Sequence, residues 1–179
     1  YLNSDWHSAR SDRRVRTVLN IYDGKLCVQP GVAIYVMRQM LAGLESLNAA
    51  EYLHCDIKPL NAMIDPLGYV KLIDFGRAVM INETGNPLVG TPLYMAPEVH
   101  ERKPATIQSD IYAVGLVGLE LLRGQRPDEN QNITEKELLD LKLNVAGKLE
   151  SLLPPYVRIN QKLSMIPHRR RRRPPLSHY

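Results

Sequence analysis

Apolar residues recur every three or four positions in several stretches of the chain, a spacing that predicts amphipathic helices. The clearest stretch covers residues 32–50. An almost wholly apolar stretch covers residues 110–122, counting its first residue as the cap, and should be central to the core. A further helix is expected over residues 134–149, because Thr134 with Glu137 three positions later forms a capping-box signature.

The N-terminal part of the chain, residues 1–30, is polar and irregular. One short helix is predicted there, ended by Gly24. Its evidence is a set of four apolar residues with helical spacing, Val15, Val18, Leu19 and Tyr22.

Two short strands are predicted at residues 62–64 and 69–73. Residues 65–68 read D-P-L-G, and proline second with glycine fourth suits a type I turn. A β-hairpin is therefore expected. Residues 76–97 are rich in Gly, Pro, Asn and Thr and indicate a long loop, which in compact domains is usually functional.

The composition limits the class of protein. The chain of 179 residues has room for one well-buried domain, and its 44% hydrophobic and 23% charged residues are ordinary for a globular protein. The net charge of +4 depends on Arg169–Arg173. Without these five of the 23 basic residues, the chain would have slightly fewer basic residues than its 19 acidic ones. The body of the protein is thus no basic nucleic-acid-binding surface.

The two cysteines, Cys27 and Cys55, are too few for a disulfide framework, and no Cys and His cluster has zinc-ligand spacing. No apolar run approaches the roughly 20 residues of a membrane span. We expect a cytoplasmic protein with no membrane partner, although the Arg-rich tail leaves a nuclear location open. The first residue is Tyr1 rather than methionine, so we expect a fragment of a longer protein.

Two short segments carry the candidate chemistry. Residues 54–61 read H-C-D-I-K-P-L-N, and residues 74–76 read D-F-G. Together they supply two carboxylates, one ammonium and one amide, which is the set that phosphoryl transfer from a nucleotide needs. The predicted hairpin should fold back and set Asp74 beside Asp56 and Asn61.

Four segments, in order, resemble motifs of the eukaryotic-type protein kinase family. Residues 52–61 resemble its catalytic loop, residues 74–76 its metal-binding motif, and residues 90–98 the end of its activation segment with the A-P-E signature. Residues 109–127 resemble its buried central helix and the exit from that helix. The chain therefore looks like the C-terminal lobe of such a kinase, firmly over residues 15–127.

The resemblance implies an α+β, protein kinase-like fold: a predominantly helical C-terminal lobe with a short β-hairpin. The N-terminal β lobe is expected to be largely absent, since no G-x-G-x-x-G occurs and V-A-I at residues 32–34 is followed by Tyr35 rather than lysine. The expected divisions are an inter-lobe segment and first helix at 1–30, the C-lobe at 31–168 with catalytic loop 54–61 and activation segment 74–98, and a basic tail at 169–179.

The resemblance also implies roles for individual residues and the cofactors ATP and Mg²⁺. Asp56 would accept the proton of the substrate hydroxyl, and Lys58 would place a cation over the transferring phosphoryl group. Asn61 and Asp74 would bind Mg²⁺. Met63 would lie under the adenine.

Lys58 and Thr91 match the serine/threonine branch of the family, so a protein substrate with Ser or Thr is expected. In the family the glutamate of A-P-E, here Glu98, pairs with an arginine. Both Arg170 and Arg173 match that arginine in part, and the choice between them stays open.

Cys55 replaces an arginine that pairs, in most relatives, with a phosphorylated residue of the activation segment. We interpret Cys55 as a neutral packing residue rather than a redox switch. His54 and Phe75 are likewise expected to pack and to hold the two loops together.

Three hypotheses remain. The first is a serine/threonine kinase of which this is the large lobe, and which alone binds nucleotide poorly and catalyses little. The second is a pseudokinase that binds proteins without catalysis; the presence of Asp56, Lys58, Asn61 and Asp74 argues against it. The third, a nucleic-acid binder, rests only on the arginines at 169–173.

Overall fold

The computed structural model of the protein describes residues 19–22, 25–81, 90–125 and 133–144. The described helices are α1 (Pro30–Ala49), α2 (Pro97–His100), α3 (Ile107–Arg123) and α4 (Glu135–Leu143). The described strands are β1 (Leu19–Tyr22), β2 (Lys25–Val28), β3 (Tyr52–Leu53), β4 (Ala62–Ile64), β5 (Val70–Leu72) and β6 (Val79–Met80). A 3-10 turn, Pro59–Asn61, precedes β4.

The core lies between α1 and α3, the two long helices. Met40 and Leu44 of α1 and Val114 and Val117 of α3 are almost fully buried. Both helices were predicted from their apolar spacing, and both predictions are confirmed. β2 lies against α3, while β3 and β5 lie against α1.

The start of α3 differs from the prediction. The helix begins at Ile107, and its N-cap is Thr106 rather than Asp110. The Thr106 side chain accepts a hydrogen bond from Ser109 N, and the Ser109 hydroxyl accepts one from Thr106 N. Because this reciprocal pair caps the helix one turn earlier, Asp110 lies within the first turn and its carboxylate is left for another contact.

The short helix predicted before Gly24 is wrong for the residues that the structure describes. Leu19–Tyr22 is a strand, and it pairs antiparallel with β2 in a register that sets Leu19 opposite Val28. The sequence between the strands is Asp23-Gly24, and an Asp-Gly pair flanked by apolar residues is a strong hairpin signal that outweighs the helical spacing. Val15, Val18 and Gly24 lie outside the described residues.

The hairpin predicted at 62–73 is confirmed, with its second strand observed at Val70–Leu72. β4 and β5 pair antiparallel, with Ala62 opposite Leu72 and Ile64 opposite Val70. The turn is closed by a hydrogen bond from Gly68 N to Asp65 O of 2.9 Å. Gly68 has φ of 91°, a left-handed conformation that glycine adopts without strain.

The segment predicted as a long loop contains more structure than expected. Val79–Met80 pairs antiparallel with β3. The short helix α2 begins at Pro97, and residues 82–89 lie outside the described residues.

The capping box predicted for α4 is confirmed: Thr134 Oγ1 accepts from Glu137 N, and the Glu137 carboxylate accepts from Thr134 N. The helix ends at Leu143, and residues 145–149 of the predicted helix lie outside the described residues. The described helices and small antiparallel sheets fit the expected α+β class. Among these helices, none has both the length and the apolar character that crossing a membrane requires.

Candidate active site

The buried side chain of Asp110, which is 3% exposed, binds the backbone of the loop after β3. Its Oδ2 accepts a hydrogen bond of 2.7 Å from His54 N, and its Oδ1 accepts one of 2.9 Å from Cys55 N. Burial raises the pKa of Asp110, against the opposing effects of those two hydrogen bonds and of His54. Asp110 therefore fixes the backbone immediately before Asp56.

Asp56 lies in this loop and is 4% exposed. Thr91 Oγ1 donates to its Oδ1 at 2.7 Å, and Lys58 Nζ donates to its Oδ2 at 2.7 Å. Lys58 Nζ also donates to Thr91 Oγ1 at 3.2 Å, which closes a triangle of three side chains. The structure thus brings together the three residues that the sequence assigned to the catalytic base, the cation and the activation segment.

The electrostatic surroundings keep Asp56 ionised. Burial alone would raise its pKa, but the hydrogen bonds from Lys58 and Thr91, with the charges of Lys58 and Arg77, lower the pKa below its ordinary value. An ionised carboxylate at this position can accept a hydrogen bond from an incoming hydroxyl and orient it.

Asn61 is buried beside the same carboxylate. Its Nδ2 donates to the backbone oxygen of Asp56 at 2.8 Å and to Oδ2 of Asp56 at 3.3 Å. Because both oxygens of Asp56 can only accept hydrogen bonds, the two bonds from Nδ2 fix the orientation of the Asn61 amide. Its Oδ1 therefore points away from Asp56. No residue that the structure describes donates to that Oδ1.

The backbone before Asp74 lies next to Asn61, because Ile73 N donates to the main-chain oxygen of Asn61 at 2.9 Å. Asp74 has φ of 62° and is exposed. Its Oδ1 accepts a weak hydrogen bond of 3.3 Å from Gly76 N. The carboxylate of Asp74 is thus accessible to a ligand from solvent.

Asn61 and Asp74 fit the magnesium ion that the resemblance implies. Mg²⁺ binds one or two protein oxygens and completes its shell with water and phosphate oxygens. The Oδ1 of Asn61 and the exposed carboxylate of Asp74 are oxygen donors of this kind. In the described part of the chain, no group of three or more His, Cys, Asp and Glu side chains is arranged to hold a metal by itself.

His54 and Phe75 pack on each other as expected. Their ring centroids are 5.2 Å apart with an interplanar angle of 52°. His54 is fully buried and its Nε2 donates to the Ile73 oxygen at 3.2 Å. The contact joins the two loops that carry Asp56 and Asp74.

Cys55 is a neutral group in this structure. Burial, followed by the negative charges of Asp110 and Asp56, raises the pKa of its thiol to about 12. Because the thiolate is the reactive form, this value agrees with a packing residue and disagrees with a redox switch.

Two predicted site residues lie away from the triangle. Met63 is on β4 opposite Lys71 and is 54% exposed, which leaves its side chain open to a ligand. Glu98 is the second residue of α2 and accepts a hydrogen bond of 2.6 Å from Ser109 Oγ. The arginines expected as its partner, Arg170 and Arg173, lie outside the described residues.

Arg77 was not predicted from the sequence as a residue of the site. Its Nε lies 3.8 Å from Asp56 Oδ2, and its Nη1 donates to Gly90 O at 2.7 Å. Gly90 has φ of 136°, and a Cβ there would lie 2.8 Å from the backbone oxygen of Cys55. Gly90 of the activation segment therefore lies close to the catalytic loop. Arg77, directly after D-F-G, contacts both this glycine and Asp56.

Two further buried residues, Asp110 and Lys142, were not predicted from the sequence. Asp110 was interpreted as a helix cap, and its true contacts lie more than fifty positions away in sequence. Lys142 is four positions after the buried Leu138, so helical spacing alone sets it on the buried face of α4. That spacing was the available signal for Lys142.

The comparison with family models agrees with this geometry. The model of the protein kinase domain matches residues 12–165. The chain belongs to the protein kinase domain family. The resemblance stated from the motifs is thereby confirmed for most of the chain.

Curated members of the kinase family give the same result. A probable serine/threonine-protein kinase, pknA2 of Bifidobacterium longum, is 40% identical over 102 residues, which cover 54% of this chain and 13% of that protein. The serine/threonine-protein kinase PknA of Corynebacterium glutamicum is 42% identical over 101 residues, 54% of this chain and 21% of that protein. The serine/threonine-protein kinase STE20 of Saccharomyces cerevisiae is 40% identical over 99 residues, 54% of this chain and 10% of that protein.

The chain is thus similar to only a short part of these kinases, about an eighth of the Bifidobacterium protein by the coverage just given. A protein kinase transferase is the class that the family match and the relatives support. Kinases of this family generally use ATP and Mg²⁺ and act on proteins.

Proposed function

We propose that the protein transfers the γ-phosphate of ATP to a serine or threonine hydroxyl of a protein substrate. The observation that carries this proposal is the triangle of Asp56, Lys58 and Thr91, in which a buried carboxylate, a cation and a hydroxyl are joined by three hydrogen bonds of 2.7–3.2 Å. Most of what phosphoryl transfer requires is positioning and charge stabilisation, and the triangle supplies both.

In this proposal Asp56 orients the substrate hydroxyl and accepts its proton. Its Oδ1 and Oδ2 are occupied by Thr91 and Lys58, so an incoming hydroxyl binds beside them on the open lone pairs of the carboxylate. The two neighbours hold the carboxylate in one orientation. The substrate oxygen is therefore presented in one direction.

Lys58 has a second part in the proposal. Of the residues that the structure describes, it is the cation nearest to Asp56, and in this proposal its ammonium also contacts the transferring phosphoryl group. Negative charge that develops during transfer is stabilised by such a cation.

Asn61 and Asp74 would hold Mg²⁺, with Asn61 Oδ1 fixed by the two hydrogen bonds of its amide nitrogen. When bound, Mg²⁺ would offset the negative charge of the phosphates of the nucleotide. The exposed Met63 would contact the adenine ring.

The preference for serine and threonine over tyrosine is supported by Lys58 and Thr91 and by the relatives, which are named serine/threonine-protein kinases. The test is transfer of labelled phosphate from ATP to a generic protein substrate, followed by acid hydrolysis and separation of the phosphoamino acids. The enzyme for this assay is the complete product of the gene that encodes this chain, called the extended protein below, and the 179-residue chain is assayed alongside it. We expect the extended protein to produce phosphoserine and phosphothreonine, and the 179-residue chain alone to transfer little phosphate.

Label on phosphotyrosine alone would contradict the substrate assignment. No transfer by the extended protein would favour the alternative, a kinase-like module that binds proteins without catalysis.

A further inference from the structure

Lys142 is a lysine in a place where lysines are rarely found. It lies on α4 in the row that also contains Leu138, and it is 3% exposed. A lysine is almost never buried to this degree unless its ammonium is paired. No carboxylate of the described residues pairs with it; its partners are two backbone oxygens and a histidine.

Three atoms converge on Lys142 Nζ. It donates to Met95 O at 2.7 Å and also to Pro92 O, and it lies 2.6 Å from Nε2 of His100. An ammonium has three N–H donors, so these three acceptors satisfy it when His100 carries its proton on Nδ1. A neutral amine satisfies the same three contacts, since it donates to both carbonyls and accepts from an Nε2–H of His100.

His100 belongs to the same group of contacts. Its Nε2 also lies 2.8 Å from Pro92 O, so His100 and Lys142 approach this carbonyl together. Burial and the charge of Lys142 lower the pKa of His100, against the opposing effects of the Pro92 hydrogen bond and the charge of Glu135. A neutral imidazole, the form that can share a proton with Lys142, is therefore favoured.

The segment held in this way is continuous with the candidate active site. Pro92 directly follows Thr91, whose hydroxyl contacts Asp56 and Lys58. Tyr94 N and Met95 N both donate back to Thr91 O, at 2.9 and 3.2 Å. A shift of residues 92–95 would therefore move Thr91 away from the catalytic carboxylate.

We propose that Lys142 and His100 are positioning residues that hold residues 92–95 in the shape that receives the peptide substrate. We call this pair the Lys142–His100 latch. The inference rests on the proposed function, because it assigns the latch to the binding of a peptide whose hydroxyl reaches Asp56. It makes α4 a determinant of peptide binding, although α4 carries none of the proposed catalytic residues.

The first test measures amide hydrogen exchange in the 179-residue chain and needs no catalytic activity. Lys142→Met keeps the length of the side chain and removes its donors. We expect about tenfold faster exchange at the amides of Tyr94 and Met95, with α1 and α3 unchanged. Lys136→Met is the matched control, because Lys136 is on the same helix and exposed, and it should leave the exchange unchanged.

A second variant covers the case in which Lys142→Met loses protection throughout α3. His100→Leu removes one acceptor and leaves Lys142 its two carbonyls, so it should speed exchange at the same two amides by a smaller factor. Unchanged exchange at Tyr94 and Met95 in both variants would overturn the proposal. If Lys142→Met unfolds the protein, the same criterion applied to His100→Leu decides.

The second test separates positioning from general stability. In the extended protein, Lys142→Met should raise the KM for a peptide substrate about tenfold and leave the KM for ATP within about twofold of the parent. Faster exchange with an unchanged peptide KM would refute the role in peptide binding and leave the proposed function standing. If the parent protein transfers no phosphate, the proposed function fails, and the exchange result still decides whether the latch holds residues 92–95.

Discussion

Asp110 holds Cys55 in a left-handed backbone conformation. Cys55 has φ of 60°, which costs a residue with a side chain roughly 1–2 kcal/mol. The hydrogen bond from Cys55 N to Asp110 Oδ1, at 2.9 Å, and the bond from His54 N to Oδ2 offset this cost. The strained turn sets the direction of the next residue, Asp56.

Removal of the Asp110 carboxylate should therefore destabilise the protein. Asp110→Ala leaves two buried N–H groups without acceptors, and we expect a loss of about 2–4 kcal/mol in the free energy of unfolding. Asp140→Ala, at an exposed position of α4, should change it by less than about 0.5 kcal/mol. Urea denaturation of both variants checks this, and equal midpoints would show that Asp110 does not anchor the loop.

Gly118 allows α1 and α3 to approach closely. A Cβ at Gly118 would overlap Sδ of Met37 and lie 3.1 Å from its Cγ, whereas a Cβ at Gly115 meets nothing within 4 Å. Gly115→Ala should gain about 0.5–1 kcal/mol of helix propensity. Gly118→Ala should be about 1–3 kcal/mol less stable than Gly115→Ala, because its methyl group overpacks the core. Thermal unfolding of the two variants compares them directly, and equal stability would contradict the close contact.

Lys142 should make stability depend on pH. Burial lowers the pKa of Lys142 from its ordinary 10.5 to about 7 in the folded protein. Between these values the unfolded chain binds a proton that the folded protein does not, so the free energy of unfolding rises with pH. We expect an increase of about 2 kcal/mol from about pH 7 to about pH 9.

Among the described residues, the titratable groups that face Lys142 or its partner are His100 on α2, Glu135 on α4 and Tyr112 on α3, whose hydroxyl donates to Lys142 O. Unfolding measured in urea at several pH values checks the increase. Lys142→Met should abolish it and Lys136→Met should retain it. A slope that persists in Lys142→Met would assign the titration to another group.

Arg77 should support catalysis through Asp56 and Gly90. Arg77→Gln removes a charge that helps to lower the pKa of Asp56 and weakens the hydrogen bond to Gly90 O. Because the Arg77 side chain is about half exposed, we expect a moderate loss, roughly three- to tenfold in kcat/KM for the peptide. Arg38→Gln, on the exposed face of α1, is the control and should be silent. Peptide kinetics in the extended protein provide the measurement, and full activity of Arg77→Gln would show that Arg77 is dispensable.

Much of this fold was accessible from local patterns. The helix predicted at 32–50 is observed as Pro30–Ala49, and the D-P-L-G turn closes the predicted hairpin, because periodicity and turn chemistry act within a few residues. The strand Leu19–Tyr22 was missed because its apolar residues also fit a helical spacing, although the Asp-Gly pair that follows them indicates the hairpin with Lys25–Val28.

The candidate site was predictable where short motifs carry its residues, as for Asp56, Lys58 and Thr91. Its supports were not. Asp110, Arg77 and Lys142 act through contacts that depend on how distant segments pack, and no local rule connects Lys142 to Pro92, fifty positions earlier.

The central claim is that Asp56 is the catalytic base of a protein kinase. The most direct measurement is phosphate transfer from ATP to a generic protein substrate by the extended protein and its Asp56→Asn variant. This substitution keeps the shape of the side chain, but the amide can neither accept the proton nor balance the charge of Lys58. The control is Asp140→Asn, the same change at an exposed position of α4. We predict that Asp56→Asn loses at least about a hundredfold in rate while Asp140→Asn keeps the parent rate; equal transfer by Asp56→Asn and the parent would contradict the account.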